Sequence, residues 1–179
     1  HSLVEQSLHA EQAKTPTNGD GFGIGWYDER KTPGLYREIL PAWNDPNLRS
    51  LALHIRSGMF FAHVRASTGT ETSRTNCHPF AHDNYLFMHN GQIGDYPLVR
   101  RVLEAMIDDE FYATRHGTTD SELIFCLMLT FGLRTDPHRA IRKTIEVVER
   151  EMNERGATAP FRFTACLSNG ESVCAIRHA

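Results

Sequence analysis

The chain has 179 residues, 40% of them hydrophobic, with a formal charge of -3 and a pI near 6.4. That length supports one substantial core without disulfides or structural metals, and a single domain over residues 1–179 is expected. The charge balance excludes the basic field that draws proteins to nucleic acid or anionic membrane, and no apolar run approaches the roughly 18 residues of a membrane span. A small-molecule partner is the expectation.

In chain order, Leu3, Val4 and Leu8 keep a helical spacing, and the turn-rich stretch Lys14 to Gly21 leads into an aromatic and glycine-rich strand over Phe22 to Tyr27. Pro33 and Gly34 mark a turn before Leu35 to Leu40. Pro46 to Ile55 carries a leucine-rich helical pattern, and Met59 to Val64 reads as the next strand. Tyr85 to His89 is a short strand that Asn90 and Gly91, a strong turn-forming pair, should stop. A helix follows from about Tyr96 to Ala105. Thr119 to Phe131 is a second helix, with Leu123, Leu127 and Phe131 in one stripe and Ile124 and Met128 beside it. Thr119 and Glu122 make a capping-box pair at its start. Pro137 to Glu151 reads as an amphipathic helix, and Phe161 to Leu167 with Ser172 to Ile176 as a hairpin around Asn169 and Gly170. Strands, then long helices, then a hairpin do not give regular strand-helix alternation, so an α+β fold of antiparallel sheets covered by helices is predicted.

The glycines of Asn18 to Gly25 (NGDGFGIG) do not form a dinucleotide fingerprint, because a strand rather than a helix follows them. Alternating glycines within a strand let another backbone or a ligand approach one face, or let the sheet pack tightly on a helix. Arg65 ends an apolar strand and precedes the small residues Ala66, Ser67, Thr68 and Gly69. Its guanidinium could emerge into a cleft and hold a carboxylate bidentately, or could tie down a loop through backbone carbonyls. Asn90 and Gly91 could be only a turn, or an amide and a backbone N–H that together form an oxyanion hole. Asp120 suits the first turn of its helix through the dipole alone, yet with Thr119 as the cap it could also meet an ammonium group. Arg65 and Asp120 would then match the two charged ends of an α-amino acid.

Ten histidines invite a metal reading, but no HExxH and no cysteine-histidine ligand spacing supports one, and no metal or cofactor is expected. No GxSxG elbow surrounds any serine. The cysteines Cys77, Cys126, Cys166 and Cys174 lack CxxC pairing and suit a reduced, cytoplasmic setting.

The segments NGDGFGIGWY at Asn18, HVRAST at His63, NCHPF at Asn76, HNGQI at His89 and GTTDSE at Gly117 resemble, in order, the class II glutamine amidotransferase domain of the N-terminal nucleophile hydrolases. The likeness is to small stand-alone bacterial members. It implies a four-layer αββα sandwich of two antiparallel sheets flanked by helices, in which an N-terminal cysteine attacks the side-chain amide of glutamine and releases ammonia from a γ-glutamyl thioester. On matching positions it implies Arg65 for the substrate carboxylate, Asp120 for the amine, Asn90 and Gly91 for the oxyanion, Ser67 and Thr68 as pocket lining, and His78 as support for the pocket wall. The family's cysteine opens the first strand, and none of the four cysteines here takes that place. The fold is therefore expected to be incomplete at both ends of these residues, with the nucleophile outside them.

Three functions follow from this reading. The first is a glutaminase or amidotransferase, with any ammonia acceptor supplied by a partner enzyme. A hydrolase of another γ-glutamyl amide, such as a γ-glutamyl-cysteine peptide, would use the same clamp. An inactive binding or regulatory module would keep the pocket without the nucleophile.

Overall fold

A computed structural model of the chain describes residues 2–9, 17–66 and 71–178. The fold is α+β, with two antiparallel sheets and helices. One sheet has the strand order β2-β1-β3, built from β1 (Phe22–Trp26), β2 (Gly34–Glu38) and β3 (Phe60–Val64). The other has the order β4-β5-β6-β7, from β4 (Phe80–His82), β5 (Tyr85–Gln92), β6 (Arg162–Ser168) and β7 (Val173–His178). The chain divides into two compact units, residues 1–88 with 167–174 and residues 89–166 with 175–179.

In the first unit the alternation of side chains along a strand explains the glycine pattern. Phe22 and Ile24 lie on one face of β1. There they join Leu3 and Val4 of α1 (Leu3–Leu8), Leu48 of α2 (Pro46–His54), Ala42, Tyr36 and Val64 in a hydrophobic cluster. Gly23 and Gly25 lie on the opposite face, where a Cβ on Gly23 would stand 2.1 Å from the His78 carbonyl oxygen and one on Gly25 2.8 Å from the Leu86 side chain. Of the close approaches the sequence allows, the structure shows another backbone and a facing leucine. Asp45 anchors α2: its carboxylate accepts the Leu48 N–H at 2.9 Å and the Tyr36 hydroxyl at 2.8 Å.

The second unit is built around α5 (Asp120–Thr130), whose residues Ser121 to Leu129 are all buried. It packs against α3 (Tyr96–Glu104), α4 (Asp109–Tyr112) and α6 (Pro137–Glu154). The stripe expected on α5 is therefore part of a surface buried all round and apolar from Leu123 to Leu129, as a helix surrounded by neighbours requires. On α6 burial follows one face, through Ala140, Ile141, Thr144, Val147, Val148, Glu151 and Met152.

Two local expectations are corrected. Strand β5 does not stop at His89 but runs through Asn90 and Gly91 to Gln92, because strand pairing overrides the turn preference of that dipeptide. The capping box is half formed. The Thr119 hydroxyl accepts the Glu122 N–H at 3.1 Å, but the Glu122 carboxylate reaches past the cap to the N–H groups of His116, at 3.0 Å, and Gly117, at 2.7 Å. The turn expected from Lys14 lies, over residues 14–16, outside the described residues. No helix among the described residues is long and apolar enough to cross a membrane.

Adding one methyl group at Gly23 must displace a backbone carbonyl rather than a flexible side-chain end. Gly23→Ala is expected to destabilise the protein by about 1–3 kcal/mol, read as a lower denaturation midpoint. An unchanged midpoint would show that the facing backbone yields freely.

Candidate active site

In the first unit, Arg65 follows β3 directly, and its backbone extends the pairing of that strand with the chain before β1. Arg65 N–H donates to the Gly21 carbonyl at 2.9 Å and Asp20 N–H donates to the Arg65 carbonyl at 3.2 Å. The side chain is 5% exposed, so it is buried rather than open in a cleft. Its guanidinium donates to the carbonyls of Asp20 and Glu71, both at 3.3 Å. The Asn76 amide donates to the same Glu71 carbonyl at 2.8 Å, so one oxygen collects two side chains and closes the loop between β3 and Asn76. The loop-tying arrangement is thus present. Ser67 and Thr68 lie outside the described residues.

His78 in the NCHPF segment is buried, with its ring 4.5 Å from that of His63 and 4.7 Å from that of Phe80, while its carbonyl covers Gly23. Cys77 is also buried, donating toward the carbonyls of Glu38 and Ser73. Burial pushes its thiol pKa above the ordinary range, and pushes that of Cys126 up to about 12. A buried, protonated thiol is inert as a nucleophile, so neither serves acyl transfer. Among the described residues no group of three or more His, Cys, Asp or Glu side chains could hold a metal ion.

In the second unit the structure brings together the end of β5 and the start of α5. Asp120 is the first residue of α5, and its Oδ2 accepts the Ile93 N–H at 2.7 Å. One backbone-to-side-chain hydrogen bond, from the residue just after β5, therefore joins the aspartate to the strand end that carries Asn90 and Gly91. Both of those residues are exposed. Alternation places His89 and Gly91 on one face of β5 and Asn90 on the other. The bare face of Gly91 is filled: a Cβ there would stand 2.0 Å from the Arg162 carbonyl oxygen and 2.6 Å from Nε2 of His89.

Sequence reasoning placed His89 at the end of a strand and at the head of the HNGQI segment, and missed its part in this arrangement. The ring is 3% exposed, with Nε2 at 3.1 Å from the Arg162 carbonyl and Nδ1 at 2.8 Å from the Ser121 hydroxyl. A carbonyl can only accept, so Nε2 carries the proton, and in the neutral ring Nδ1 accepts from Ser121. Burial pushes the His89 pKa below its ordinary value, with the Asp120 charge opposing that shift. The partners lie 32 and 73 residues away. The one local signal was a histidine on a strand directly before an asparagine-glycine pair.

These observations meet the comparisons with known proteins. The family of class II glutamine amidotransferases matches residues 2–179. This chain belongs to the class II glutamine amidotransferases. It is 42% identical over 137 residues to the "Probable glutamine amidotransferase DUG3" of Saccharomyces cerevisiae, covering 72% of this chain and 38% of that protein. It is 29% identical over 157 residues to the "Gamma-glutamyl-hercynylcysteine sulfoxide hydrolase" of Mycolicibacterium smegmatis, covering 86% of this chain and 61% of that one. The chain thus spans less than two thirds of either relative. Among solved structures, the glutamine aminotransferase class-II domain protein of Silicibacter pomeroyi superposes with a TM-score of 0.80 at 45% identity, covering 89% of this chain and 69% of that one. The glutamine phosphoribosylpyrophosphate amidotransferase of B. subtilis shares the fold, with a TM-score of 0.63 at 14% identity over 89% of this chain and 31% of that one.

The depressed pKa of His89 fixes a pH dependence for this amidotransferase domain. Above the ordinary histidine value near 6.5 the ring is neutral whether the chain is folded or not. As pH falls below it, the unfolded chain takes up the proton first, so stability falls with pH until the folded-state pKa is passed. Denaturant unfolding at pH 7.5 and 5.5 should show that loss, and His89→Gln should remove part of it. An equal pH slope in the two proteins would contradict the assignment.

Proposed function

We propose that this domain cleaves the side-chain amide of glutamine by acyl transfer, through a γ-glutamyl thioester on an N-terminal cysteine of the full-length protein. The observation that carries this reading is the bond from the Ile93 N–H to Asp120, which holds the Asn90–Gly91 strand end and an aspartate in one rigid corner. In this reading the thiolate attacks the amide carbon, and the carbonyl oxygen, now negative, is met by the Asn90 amide and the Gly91 N–H. The intermediate collapses with loss of ammonia, whose departing nitrogen takes the proton that the terminal amine had accepted from the thiol, and water then cleaves the thioester to release glutamate and restore the thiol. Asp120 receives the substrate ammonium group and Arg65 its carboxylate. Ammonia is taken either by water or by an acceptor enzyme acting as partner.

A second substrate class is favoured by one observation, the relative from Mycolicibacterium smegmatis whose name describes a γ-glutamyl hydrolase. A clamp for the glutamyl end reads the amine and carboxylate and is indifferent to what leaves. Glutamine and a γ-glutamyl-cysteine peptide, offered in parallel, separate the two readings.

The decisive residue is the one directly after the initiator methionine of the full reading frame. Cysteine there fits the enzyme, whereas any other residue turns the reading to a binding module. With the full-length protein, Asn90→Ala is expected to lower kcat for glutamate release by ~10²-fold to 10³-fold, and Asp120→Asn to raise KM. Full turnover by the Asn90 variant would remove the oxyanion assignment.

A further inference from the structure

We propose that His89 and Ser121 act as a positioning relay that keeps one oxygen of Asp120, Oδ1, available to the ammonium group of the substrate. The inference rests on the glutamyl-binding reading above. A serine hydroxyl has one proton to give. Ser121 Oγ has two acceptors in reach, His89 Nδ1 at 2.8 Å and Asp120 Oδ1 at 3.4 Å. Which one takes the proton is decided at the far side of the imidazole. Because Nε2–H is committed to the Arg162 carbonyl at 3.1 Å, Nδ1 is the acceptor and draws the hydroxyl proton away from the aspartate.

The other carboxylate oxygen is already engaged by the Ile93 N–H at 2.7 Å. Asp120 therefore divides its two oxygens between the strand end and whatever approaches from outside. The Phe163 ring, with its centroid 5.2 Å from that of His89, and the bare Gly91 position leave the imidazole little room to turn. Burial keeps it neutral and so able to accept. Were position 89 unable to accept, the Ser121 hydroxyl would turn to Oδ1 and compete with the ammonium. That competition acts on substrate binding and leaves the acyl chemistry alone.

The test uses the full-length protein with glutamine. His89→Phe should raise KM about tenfold, the scale of one hydrogen bond to a charged group, with a much smaller change in kcat. His89→Gln can accept from Ser121 with its amide oxygen and donate to the Arg162 carbonyl with its amide nitrogen, so it should recover most of that loss. Adding Ser121→Ala to His89→Phe removes the competing hydroxyl and should also recover KM, a non-additive pair. A fall in kcat with KM unmoved, a glutamine variant as poor as the phenylalanine one, or strictly additive single changes would each overturn the relay. The nitrogen shifts of the His89 ring in the unmutated protein give a check that survives a misfolded variant. They should report the Nε2–H tautomer near neutral pH, and an Nδ1–H tautomer would overturn the proposal. A full-length protein that releases no glutamate at all defeats the proposed function and the relay with it. Turnover that depends on Asn90 without the KM pattern at position 89 defeats the relay alone.

Discussion

Strand β5 can end as it does only because position 91 has no side chain. The Arg162 carbonyl and the His89 ring occupy the space a Cβ would need, at 2.0 Å and 2.6 Å. From that close approach the rest of the second unit's corner follows. The ring is held against β6, its inner nitrogen faces Ser121, and Ser121 adjoins the aspartate that receives the Ile93 N–H. A glycine that looks like turn punctuation in the sequence is instead the vacancy that lets two strands and a helix start share one polar cluster.

The first unit uses the same device for a different end. Gly23 and Gly25 strip one face of β1 so that the His78 carbonyl and the Leu86 side chain can sit against it. On the other face Phe22 and Ile24 supply ordinary apolar burial. Beyond β3, Arg65 and Asn76 both donate to the Glu71 carbonyl. Buried side-chain donors of this kind are costly when left unmade and specific when made.

The sequence made legible what depends on neighbours along the chain. The helices at Pro46, Tyr96, Asp120 and Pro137 and the strands at Phe22, Phe60 and Arg162 start within one or two residues of their expected places, because caps, prolines and apolar periodicity are local. The order of motifs also carried the family. What stayed hidden depends on distant partners. The turn preference of Asn90 and Gly91 could not reveal that pairing would carry β5 through them, and the spacing of Thr119 and Glu122 could not reveal that the carboxylate would find His116 and Gly117. Strand β4 and helix α4, of three and four residues, are too short to show a period at all. For Arg65 the sequence left a cleft and a loop tied through backbone carbonyls both open, and its burial against the Asp20 and Glu71 carbonyls depends on residues it could not show.

The two thiols buried deepest in apolar or carbonyl-lined settings sharpen what the chemistry requires. A cysteine nucleophile must be a thiolate for part of its cycle, and burial stabilises the neutral form of Cys77 and Cys126 instead. Asn90, Gly91 and Asp120, to which the proposed function gives the oxyanion and the ammonium group, sit on secondary structure, and Asp120 is anchored by the Ile93 N–H. Such a site needs an attacking group free of those constraints, one that can gain and lose a proton without disturbing the corner that receives the substrate. The terminal cysteine of the proposed function fits that requirement, because in that reading its own amine, not a buried neighbour, manages the proton. Under the proposed function, the corner at β5 and α5 receives the substrate while a separately titrating nucleophile does the attacking, and that division matches the anchored Asp120 and the buried His89.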